Sequence, residues 1–299
     1  MEKHNEVSKG VRMRNILIVL NYNSISKTKK LIYSVRDYES IDHIIVVDNA
    51  STKDKSQDLK EIEGGKVTLL ALSENKGYAA GNNAGIQFAI DHFGKDSVLF
   101  ITNPDVEFTN ATIEIINEFM RKSKNKRIGA VAPRMHNGYS AWKFTTFYRN
   151  IFFESGIMPR LINTSSLYDR FYKKKLAKLQ TSYLKVDVLS GAFFALDAAA
   201  FIEINFFDEG TFLYYEEEII AKKLFYKQYS NYLLTNCEYY HNHNYSKNKH
   251  NIQTVKILNE SRRYFFINYF RLTSYRKLLL RLSDYINIFI AYLQDKKNA

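Results

Sequence analysis

Short apolar runs alternate with amphipathic segments through the first half of the chain. The apolar runs predict five buried strands, at 15–20, 44–48, 67–72, 98–102 and 128–132. Apolar residues at helical spacing predict three intervening helices, at 27–38, 78–93 and 111–122. Continuous apolar strands that alternate with helices are typical of a parallel sheet covered on both faces. The pattern therefore predicts an α/β fold that binds its ligands at the carboxyl ends of the strands.

The pattern changes after residue 138. Segment 138–185 is irregular, aromatic and basic, with Lys173–Lys175 in a row, and predicts a long loop or lid with short helices. Further elements are predicted as a strand at 186–196, a helix at 198–204, a helix at 216–228, a strand at 232–237 and helical structure at 255–293. We therefore divide the chain into a tail at 1–14, a domain at 15–250 with halves at 15–135 and 136–250, and a helical extension at 251–299.

Composition excludes several classes of protein. Hydrophobic residues make up 45% of the 299 residues, so a disordered chain is excluded. Cys237 is the single cysteine, which excludes an intramolecular disulfide and a cysteine-based zinc site. The N-terminus lacks the apolar core of a secretory signal, and no run of 18 apolar residues predicts a membrane span. We expect a cytoplasmic protein, with the inner face of the plasma membrane as a further location.

Polar clusters follow the predicted strands and should meet at one edge of the sheet. Asp48, directly after IIVV, suits a hydrogen bond from a nucleobase or ribose, or else caps the next helix. The small residues between Asn75 and Asn83 let backbone approach a phosphate, or else allow close packing of a helix on the sheet. Both interpretations remain open at each position.

A third cluster, Asn103-Pro104-Asp105, has the chemistry of a cation site. One carboxylate and one amide suit a divalent cation that bridges to a diphosphate, because Mg²⁺ takes few protein carboxylates and fills its shell with water and phosphate. The alternative is a turn in which Asp105 caps a helix. His241 and His243 alternate along the chain, so either could complete the cation site or lie on a surface loop.

Three consecutive glutamates, Glu216–Glu218, follow Tyr214 and Tyr215. Glutamates at a helix start are usually solvated and favoured by the helix dipole. Aromatic neighbours, however, favour a desolvated carboxylate with a raised pKa, which can serve as a general base.

The order of these motifs resembles glycosyltransferase family 2, and most of all its branch of bacterial rhamnosyltransferase-like enzymes for cell-surface polysaccharides. The collinear series runs from Asn21-Tyr22-Asn23 through VVDNAST, NKGYAAGNNAG, NPDV, SGAFFALD and FDEGTFLYYEEE to His241. The resemblance implies a glycosyltransferase A-type fold, Rossmann-like with a mostly parallel sheet, and an inverting transfer from a nucleotide sugar. It also implies a divalent cation, Mg²⁺ or Mn²⁺, a dTDP- or UDP-linked donor, and a saccharide or lipid-linked saccharide acceptor.

The resemblance implies a role for each matching residue. The donor side is matched by Asn21, Tyr22, Asp48, Asn75, Gly77, Asn83 and Asn103, and the acceptor side by Gly191 and Ala192. Asp105 and His241 match the metal-binding positions, with Asn103 where the family motif has its first aspartate. Glu217 matches the base, with glutamate in place of the family's aspartate, and Glu216 is a rival for that role. The halves at 15–135 and 136–250 would then hold the nucleotide sugar and the acceptor.

The last segment of the chain is basic and aromatic. Such an amphipathic helix suits an anionic membrane surface, or else packs on the catalytic domain or on a partner in a homodimer. Nucleic acid is not expected as a partner, because acids occupy the strand ends where a phosphate backbone would lie.

Two competing functions stay open. One is a nucleotidyltransferase on a similar fold, although Asn-Tyr-Asn-Ser stands where the Gly-rich basic loop of such an enzyme belongs. The second is an inactive homologue that serves as a scaffold, since Asn103 and Glu217 both depart from the family's aspartates.

Overall fold

A computed structural model of the protein describes residues 13–53, 56–123, 126–155, 181–242 and 251–298. Most of the predicted tail at 1–14 lies outside the described residues, as do Lys173–Lys175 and His243. None of the described helices combines the length and apolarity that a membrane span requires.

A nine-stranded sheet forms the centre of the fold, in the order β3-β2-β1-β4-β10-β6-β11-β5, with β8 also paired to β11. The strands are β1 (Arg14–Asn21), β2 (His43–Asp48), β3 (Val67–Ala71), β4 (Ser97–Thr102), β5 (Val106–Glu107), β6 (Ile128–Met135), β7 (Ala141–Trp142), β8 (Tyr183–Val186), β9 (Val188–Leu189), β10 (Phe193–Asp197) and β11 (Ser230–His241). The β1–β4 strands run parallel, so their polar carboxyl ends meet at one edge. The short strands β7 and β9 pair separately.

Helices cover both faces of the sheet. They are α1 (Ile25–Val35), α2 (Tyr78–Phe93), α3 (Asn110–Lys122), α4 (Phe147–Arg149), α5 (Ala198–Glu203), α6 (Glu216–Tyr226), α7 (Ile252–Tyr269) and α8 (Ser274–Asn298). Because successive side chains of a strand point to opposite faces, Leu17 and Val19 of β1 pack on the side of α1 and α3, while Ile16 and Ile18 pack on the side of α2. Continuous burial of β1 and β2 explains their uninterrupted apolar runs.

The sheet is mixed, and the prediction of one strand at 186–196 is wrong. Two strands, β9 and β10, occupy this segment, and Gly191 and Ala192 form a turn between them. The β10 strand runs antiparallel between β4 and β6. Over residues 181–192, directly before β10, the chain forms β8, β9 and a turn rather than the helical crossover that usually joins parallel neighbours.

The second half contains three further differences from the prediction. The final strand, β11, has 12 residues rather than the six predicted, and its pairing with β6 is irregular between Leu234 and Glu238. The described parts of 138–185 include β7, β8 and helical turns at 147–154. The helical pattern at 255–293 forms two helices, because the chain becomes extended at Phe270. The α7 and α8 helices pack on Phe147 and Ile219 through Phe265, Phe266 and Leu280.

Candidate active site

The carboxyl ends of β1 and β2 are joined by a buried polar network. The side-chain amide of Asn21 donates to Asp48 Oδ1 at 2.8 Å, and the Ser51 hydroxyl donates to the same oxygen at 2.5 Å. The Thr28 hydroxyl donates to Asn21 Oδ1 at 2.7 Å. Asn21 and Asp48 are both almost fully buried, whereas Tyr22, the residue after Asn21, is 44% exposed. The network therefore sets the shape of this edge, and Tyr22 is its accessible side chain.

A tight turn ahead of α2 continues the edge. Asn75 Oδ1 accepts hydrogen bonds from the Gly77 amide at 2.9 Å and from Asn49 Nδ2 at 3.0 Å. Gly77 has a φ of +104°, which glycine adopts readily and other residues do not. A cleft of about 450 Å³ lies beside this turn, lined by Asn49, Lys76, Asn83 and Glu209 among others.

Part of the Gly- and Ala-rich motif serves helix packing. A Cβ at Gly85 would lie 2.7 Å from Ile18 and 2.8 Å from Val47, so the absence of a side chain lets α2 lie close against the sheet. Both ends of the Asn83 side-chain amide are hydrogen-bonded within the protein. Its Nδ2 donates to the Phe207 carbonyl and to Glu209, and its Oδ1 accepts from the Phe207 amide. The structure thus places Asn83 as a tie between α2 and the segment ahead of the glutamates.

The two halves of the predicted site meet at Gly191. The Tyr78 hydroxyl donates to the Gly191 carbonyl at 3.0 Å, and the Gly191 amide donates to Glu217 Oε1 at 3.3 Å. A Cβ on Gly191 would lie 2.8 Å from that oxygen, so any larger residue here would displace the Glu217 carboxyl. The next residue, Ala192, accepts a hydrogen bond from the Asn103 amide at 2.9 Å. The structure therefore links Asn103 of the predicted donor side to Gly191, Ala192 and Glu217 through adjacent contacts.

All three glutamates at the start of α6 have raised pKa values. Burial raises the pKa of Glu216 to about 8, with a further contribution from the charge of Glu217. Burial also raises the pKa of Glu217, although the Gly191 amide opposes the effect, and raises that of Glu218 to about 8. Glu218 accepts a hydrogen bond from the indole of Trp142 at 3.0 Å. All three carboxyls are desolvated, as the aromatic neighbours predicted, and a raised pKa makes a carboxylate a better proton acceptor.

A strained loop presents these glutamates. Tyr214 and Tyr215 have φ values of +77° and +72°, which non-glycine residues adopt only when their surroundings enforce it. The loop is tied to α2, since the Tyr78 amide donates to the Phe212 carbonyl, and to α7, since the Ser261 hydroxyl donates to the Leu213 carbonyl at 2.7 Å.

A second tie to α7 lies at the start of the same loop. The Asp208 carboxylate accepts hydrogen bonds from the hydroxyls of Tyr264 and Tyr269. A Cβ at Gly210 would collide with the Tyr264 ring, so the loop passes directly under this helix. The C-terminal extension therefore helps to hold the loop that carries the glutamates.

Asp105 and His241 come together at the end of β11. His241 Nε2 lies 3.2 Å from Asp105 Oδ1, and the Lys27 ammonium lies 3.0 Å from Oδ2. Burial opposes the charge on Asp105, but hydrogen bonds from His241 and Lys27 outweigh it and hold the pKa of Asp105 well below its usual range. The Asn137 side chain fixes the backbone of His241: its Oδ1 accepts from the His241 amide, and its Nδ2 donates to the His241 carbonyl. A cleft of about 390 Å³, lined by Lys27, Asp105 and Asn242, opens beside the pair.

The Asp105–His241 pair fits a cation held by two protein ligands. Both side chains are 8% exposed, and their donor atoms face each other across 3.2 Å. Within the described part of the chain, no three His, Cys, Asp or Glu residues gather as a metal site. A cation here would therefore complete its shell with diphosphate oxygens and water, as Mg²⁺ commonly does.

Several contacting residues were absent from the sequence prediction. Lys27 on α1, Tyr78 on α2 and Trp142 on β7 each touch a predicted site residue. Tyr78 lies inside the NKGYAAGNNAG motif, so the sequence could have marked it as a site residue, although the resemblance implied no role for it. Lys27 and Trp142 are far from their partners in sequence, and only the folded chain reveals them.

Comparison with known proteins agrees with this architecture. The sheet, the strand-end clusters and the helices on both faces make this a glycosyltransferase A-type fold. Residues 16–204 match the model of glycosyl transferase family 2, and the chain belongs to that family. The low-salt glycan biosynthesis hexosyltransferase Agl10 of Haloferax volcanii is 26% identical over 208 residues. That match takes in 67% of this chain and 58% of the relative, so the chain spans well under two thirds of the relative's length.

Two solved structures share the fold. A crystal structure of GalNAc-T7 with UDP, GalNAc and Mn²⁺ superposes with a TM-score of 0.59 at 15% identity, over 95% of this chain and 57% of the other. The mannosyltransferase PcManGT of Pyrobaculum calidifontis, in complex with GDP-Man and Mn²⁺, gives a TM-score of 0.58 at 15% identity, over 95% of this chain and 74% of the other. At these identities the likeness confirms the predicted fold, while the rhamnosyltransferase-like branch stays a prediction.

Proposed function

We propose that this protein is an inverting glycosyltransferase. It transfers rhamnose or another hexose from a dTDP- or UDP-linked donor to a hydroxyl of a saccharide or lipid-linked saccharide, in the synthesis of a cell-surface polysaccharide. The observation that carries the proposal is the contact of Glu217 with the Gly191 turn. It places a desolvated carboxyl beside residues tied to the donor edge through Tyr78. Family membership and the hexosyltransferase relative support the same reaction class.

Glu217 is the proposed general base. Its carboxyl takes the proton of the acceptor hydroxyl, and that oxygen forms a bond to the anomeric carbon of the sugar. The bond from that carbon to the diphosphate oxygen breaks on the opposite face, and the nucleoside diphosphate leaves with the electron pair. The hydrogen bond from the Gly191 amide to Glu217 Oε1 favours Glu217 over its rival Glu216.

The donor half supplies binding and orientation. We expect the nucleoside at the carboxyl ends of β1 and β2, where Tyr22 is exposed and Asp48 is buried. The backbone amides of Gly77 and Tyr78 are bonded to Asn75 and Phe212, so this turn contributes to the shape of the adjoining cleft. Asp105 and His241 would hold Mg²⁺ or Mn²⁺. A cation bound there supplies positive charge that stabilises the leaving diphosphate. Lys27 adds a further positive charge at the same carboxylate.

Donor binding and transfer by the purified protein test the proposal. Thermal-shift measurements with dTDP-rhamnose, UDP-galactose, UDP-glucose, UDP-N-acetylglucosamine and GDP-mannose, each with and without Mn²⁺, should identify a donor that raises the melting temperature. Glu217→Gln should lower transfer or donor hydrolysis by about 10²–10⁴-fold and leave the donor-induced shift in place. Glu216→Gln is the matched control and should retain most of the activity.

Each contrary result contradicts a defined part of the proposal. Donor binding without hydrolysis or transfer to any saccharide would indicate an inactive homologue. Formation of a nucleotide sugar and pyrophosphate from a nucleoside triphosphate and a sugar 1-phosphate, supplied in a separate assay, would indicate a nucleotidyltransferase. If Glu216→Gln is inactive and Glu217→Gln is active, the base assignment is wrong although the reaction class stands.

A further inference from the structure

Helix α8 presents most of its large apolar residues to solvent, while part of its buried side is polar. Large apolar residues dominate its exposed positions: Tyr275, Leu278, Leu282, Tyr285, Ile286, Phe289, Tyr292 and Leu293 are between 44% and 71% exposed. Its buried positions are the polar Ser283, Asp284 and Asn287 together with Leu280 and Ala291. An ordinary surface helix has the reverse arrangement. The outward face is therefore shaped for contact with something other than water.

The orientation of α8 is set by buried polar contacts with α7. Arg262 is 2% exposed and donates to the carboxylate of Asp284 and to the hydroxyl of Ser283. Asn287 Nδ2 donates to Asn259 Oδ1 at 3.0 Å, and Asn259 Nδ2 donates to the carbonyl of Asp284 at 3.1 Å. Rotating α8 to bury its apolar side would break these bonds and leave Arg262 unpaired, at a large cost. The apolar face is thus held outward by the fold.

The outward face is basic as well as apolar. Lys277, Arg281 and Lys296 are exposed on α8. Both acids of the helix are engaged by the protein: Asp284 pairs with Arg262 and Arg263, and Asp295 accepts a hydrogen bond from the amide of Ile252. Across the described positions of α8, no acid is exposed. The face has the charge that an anionic surface attracts.

We propose that the outward face of α8 lies in the interface of an anionic lipid bilayer. Apolar residues with three tyrosines and flanking Lys and Arg are the composition of helices that lie in that interface. Tyrosine suits this position because its ring enters the acyl boundary while its hydroxyl stays among headgroups and water. The proposal rests on this face alone and stands independently of the proposed transfer reaction.

A second copy of the chain fits the face less well. Six of the exposed residues follow heptad spacing, namely Tyr275, Leu278, Leu282, Tyr285, Phe289 and Tyr292, which is the spacing of a coiled-coil seam. Half of that seam is tyrosine, however, and a dry seam would bury three hydroxyls that then need partners. The exposed charges are also all positive, so two copies offer no complementary pairs. An anionic bilayer interface offers headgroups and water to the tyrosine hydroxyls and negative charge to the Lys and Arg side chains.

Exposed aromatic residues also lie on the segment 148–155, which contacts the first half of α8. The Arg276 guanidinium lies 5.1 Å from the centre of the Tyr148 ring, and the Ser283 hydroxyl is 3.0 Å from that of Ser155. Between these contacts along the chain lie Phe152 and Phe153, which are 51% and 43% exposed. The same segment reaches the active-site loop, since Asn150 donates to the Tyr215 hydroxyl. A bilayer on α8 would therefore lie near the loop that presents Glu216 and Glu217.

Vesicle co-sedimentation of the full chain, without donor or acceptor, tests the proposal. Vesicles of phosphatidylcholine alone are compared with vesicles that contain about one third phosphatidylglycerol. We expect binding to the anionic vesicles that falls at least about tenfold when the ionic strength is raised from about 0.05 M to 0.5 M. Phe289→Glu should weaken binding by at least about tenfold, and the double variant Lys277→Glu/Arg281→Glu should remove the preference for anionic lipid.

Ile202→Glu is the matched control, because Ile202 is 44% exposed and lies on a different helix, α5. This variant should bind vesicles as the parent does, and an unchanged melting temperature of Phe289→Glu would show that the effect is on binding. Absence of binding at low salt would overturn the proposal. So would binding that Phe289→Glu leaves unchanged, or a dimer in light scattering that Phe289→Glu dissociates while vesicles fail to bind.

Discussion

The backbone amide of Tyr78 donates a hydrogen bond of 2.9 Å to the carbonyl oxygen of Phe212. This bond joins the first turn of α2, on the donor side, to the loop that presents Glu216 and Glu217. The two predicted halves, 15–135 and 136–250, are thus directly connected at the candidate active site. Gly77 makes the contact sterically feasible, because a Cβ there would collide with the same carbonyl oxygen.

Gly77→Ala should therefore impair both folding and transfer. The variant must adopt a φ of +104° and also push Phe212 away, so we expect a loss of about 2–4 kcal/mol in the free energy of unfolding. Chemical denaturation measures that loss. Gly94→Ala is a matched control, since Gly94 has a φ of +81° but no atom within 4 Å of its added Cβ. Equal destabilisation of the two variants would show that the Gly77–Phe212 approach is unimportant.

Gly191→Ala should displace Glu217 and spare the donor site. The added Cβ would lie 2.8 Å from Glu217 Oε1 and 3.0 Å from its Cγ, so the carboxyl must move. A displacement of about 1 Å can lower a rate by about 10²-fold. We expect kcat to fall by that order while donor binding, measured by thermal shift, is kept. An unchanged kcat would argue against Glu217 as the group that contacts the acceptor.

The buried Glu218 should make the protein less stable as the pH rises. Its pKa is raised to about 8 in the folded chain, so between about pH 4.5 and pH 8 the folded state binds more protons than the unfolded state. Stability from this group is present at low pH and is lost as the pH rises through about 8, by up to about 1.4 kcal/mol per pH unit. Denaturation of Glu218→Gln from pH 5 to pH 8 should show a shallower decline than the parent.

The comparison variant for Glu218→Gln is Glu260→Gln, at an exposed position on α7. Its decline should match that of the parent, because an exposed carboxyl has nearly the same surroundings before and after unfolding. If the free energy of unfolding falls equally with pH in both variants, Glu218 is not a source of the pH dependence.

Asp105→Asn should abolish the rise in melting temperature that Mn²⁺ and a nucleoside diphosphate produce together. With only Asp105 and His241 as protein ligands, we expect Mn²⁺ alone to raise the melting temperature little, and Mn²⁺ with a nucleoside diphosphate to raise it clearly. Asp105→Asn should lose the combined shift, and Asp96→Asn, at an exposed position outside the site, should retain it. A combined shift that persists in Asp105→Asn would place the cation elsewhere.

Local periodicity predicted most of the first half correctly. The order of β1, α1, β2, β3, α2, β4 and α3 agrees with the apolar pattern, because strands buried on both faces and amphipathic helices leave distinct signatures in sequence. The convergence of Asn21 and Asp48 was also predictable, since parallel strands align their carboxyl ends. The prediction of one strand at 186–196 was wrong, because a turn of small buried residues is as apolar as a strand.

Other features depend on contacts between distant segments. The roles of three consecutive glutamates cannot be separated by composition. Only the packed loop directs Glu217 to Gly191 and Glu218 to Trp142. In the same way, Asn83 matches a donor-site position, yet its amide is occupied by Phe207 and Glu209.

Helix α8 shows most clearly which features the sequence determines and which depend on tertiary contacts. Its sequence predicts helical structure in this part of the chain, although not the break at Phe270 that makes α8 a separate helix. Which side faces inward is decided by Arg262 and Asn259 of another helix, whose buried polar groups require Asp284, Ser283 and Asn287 as partners. Periodicity identifies two faces of a helix. Which face is buried depends on the buried polar groups of the neighbouring helix, because these groups need hydrogen-bond partners.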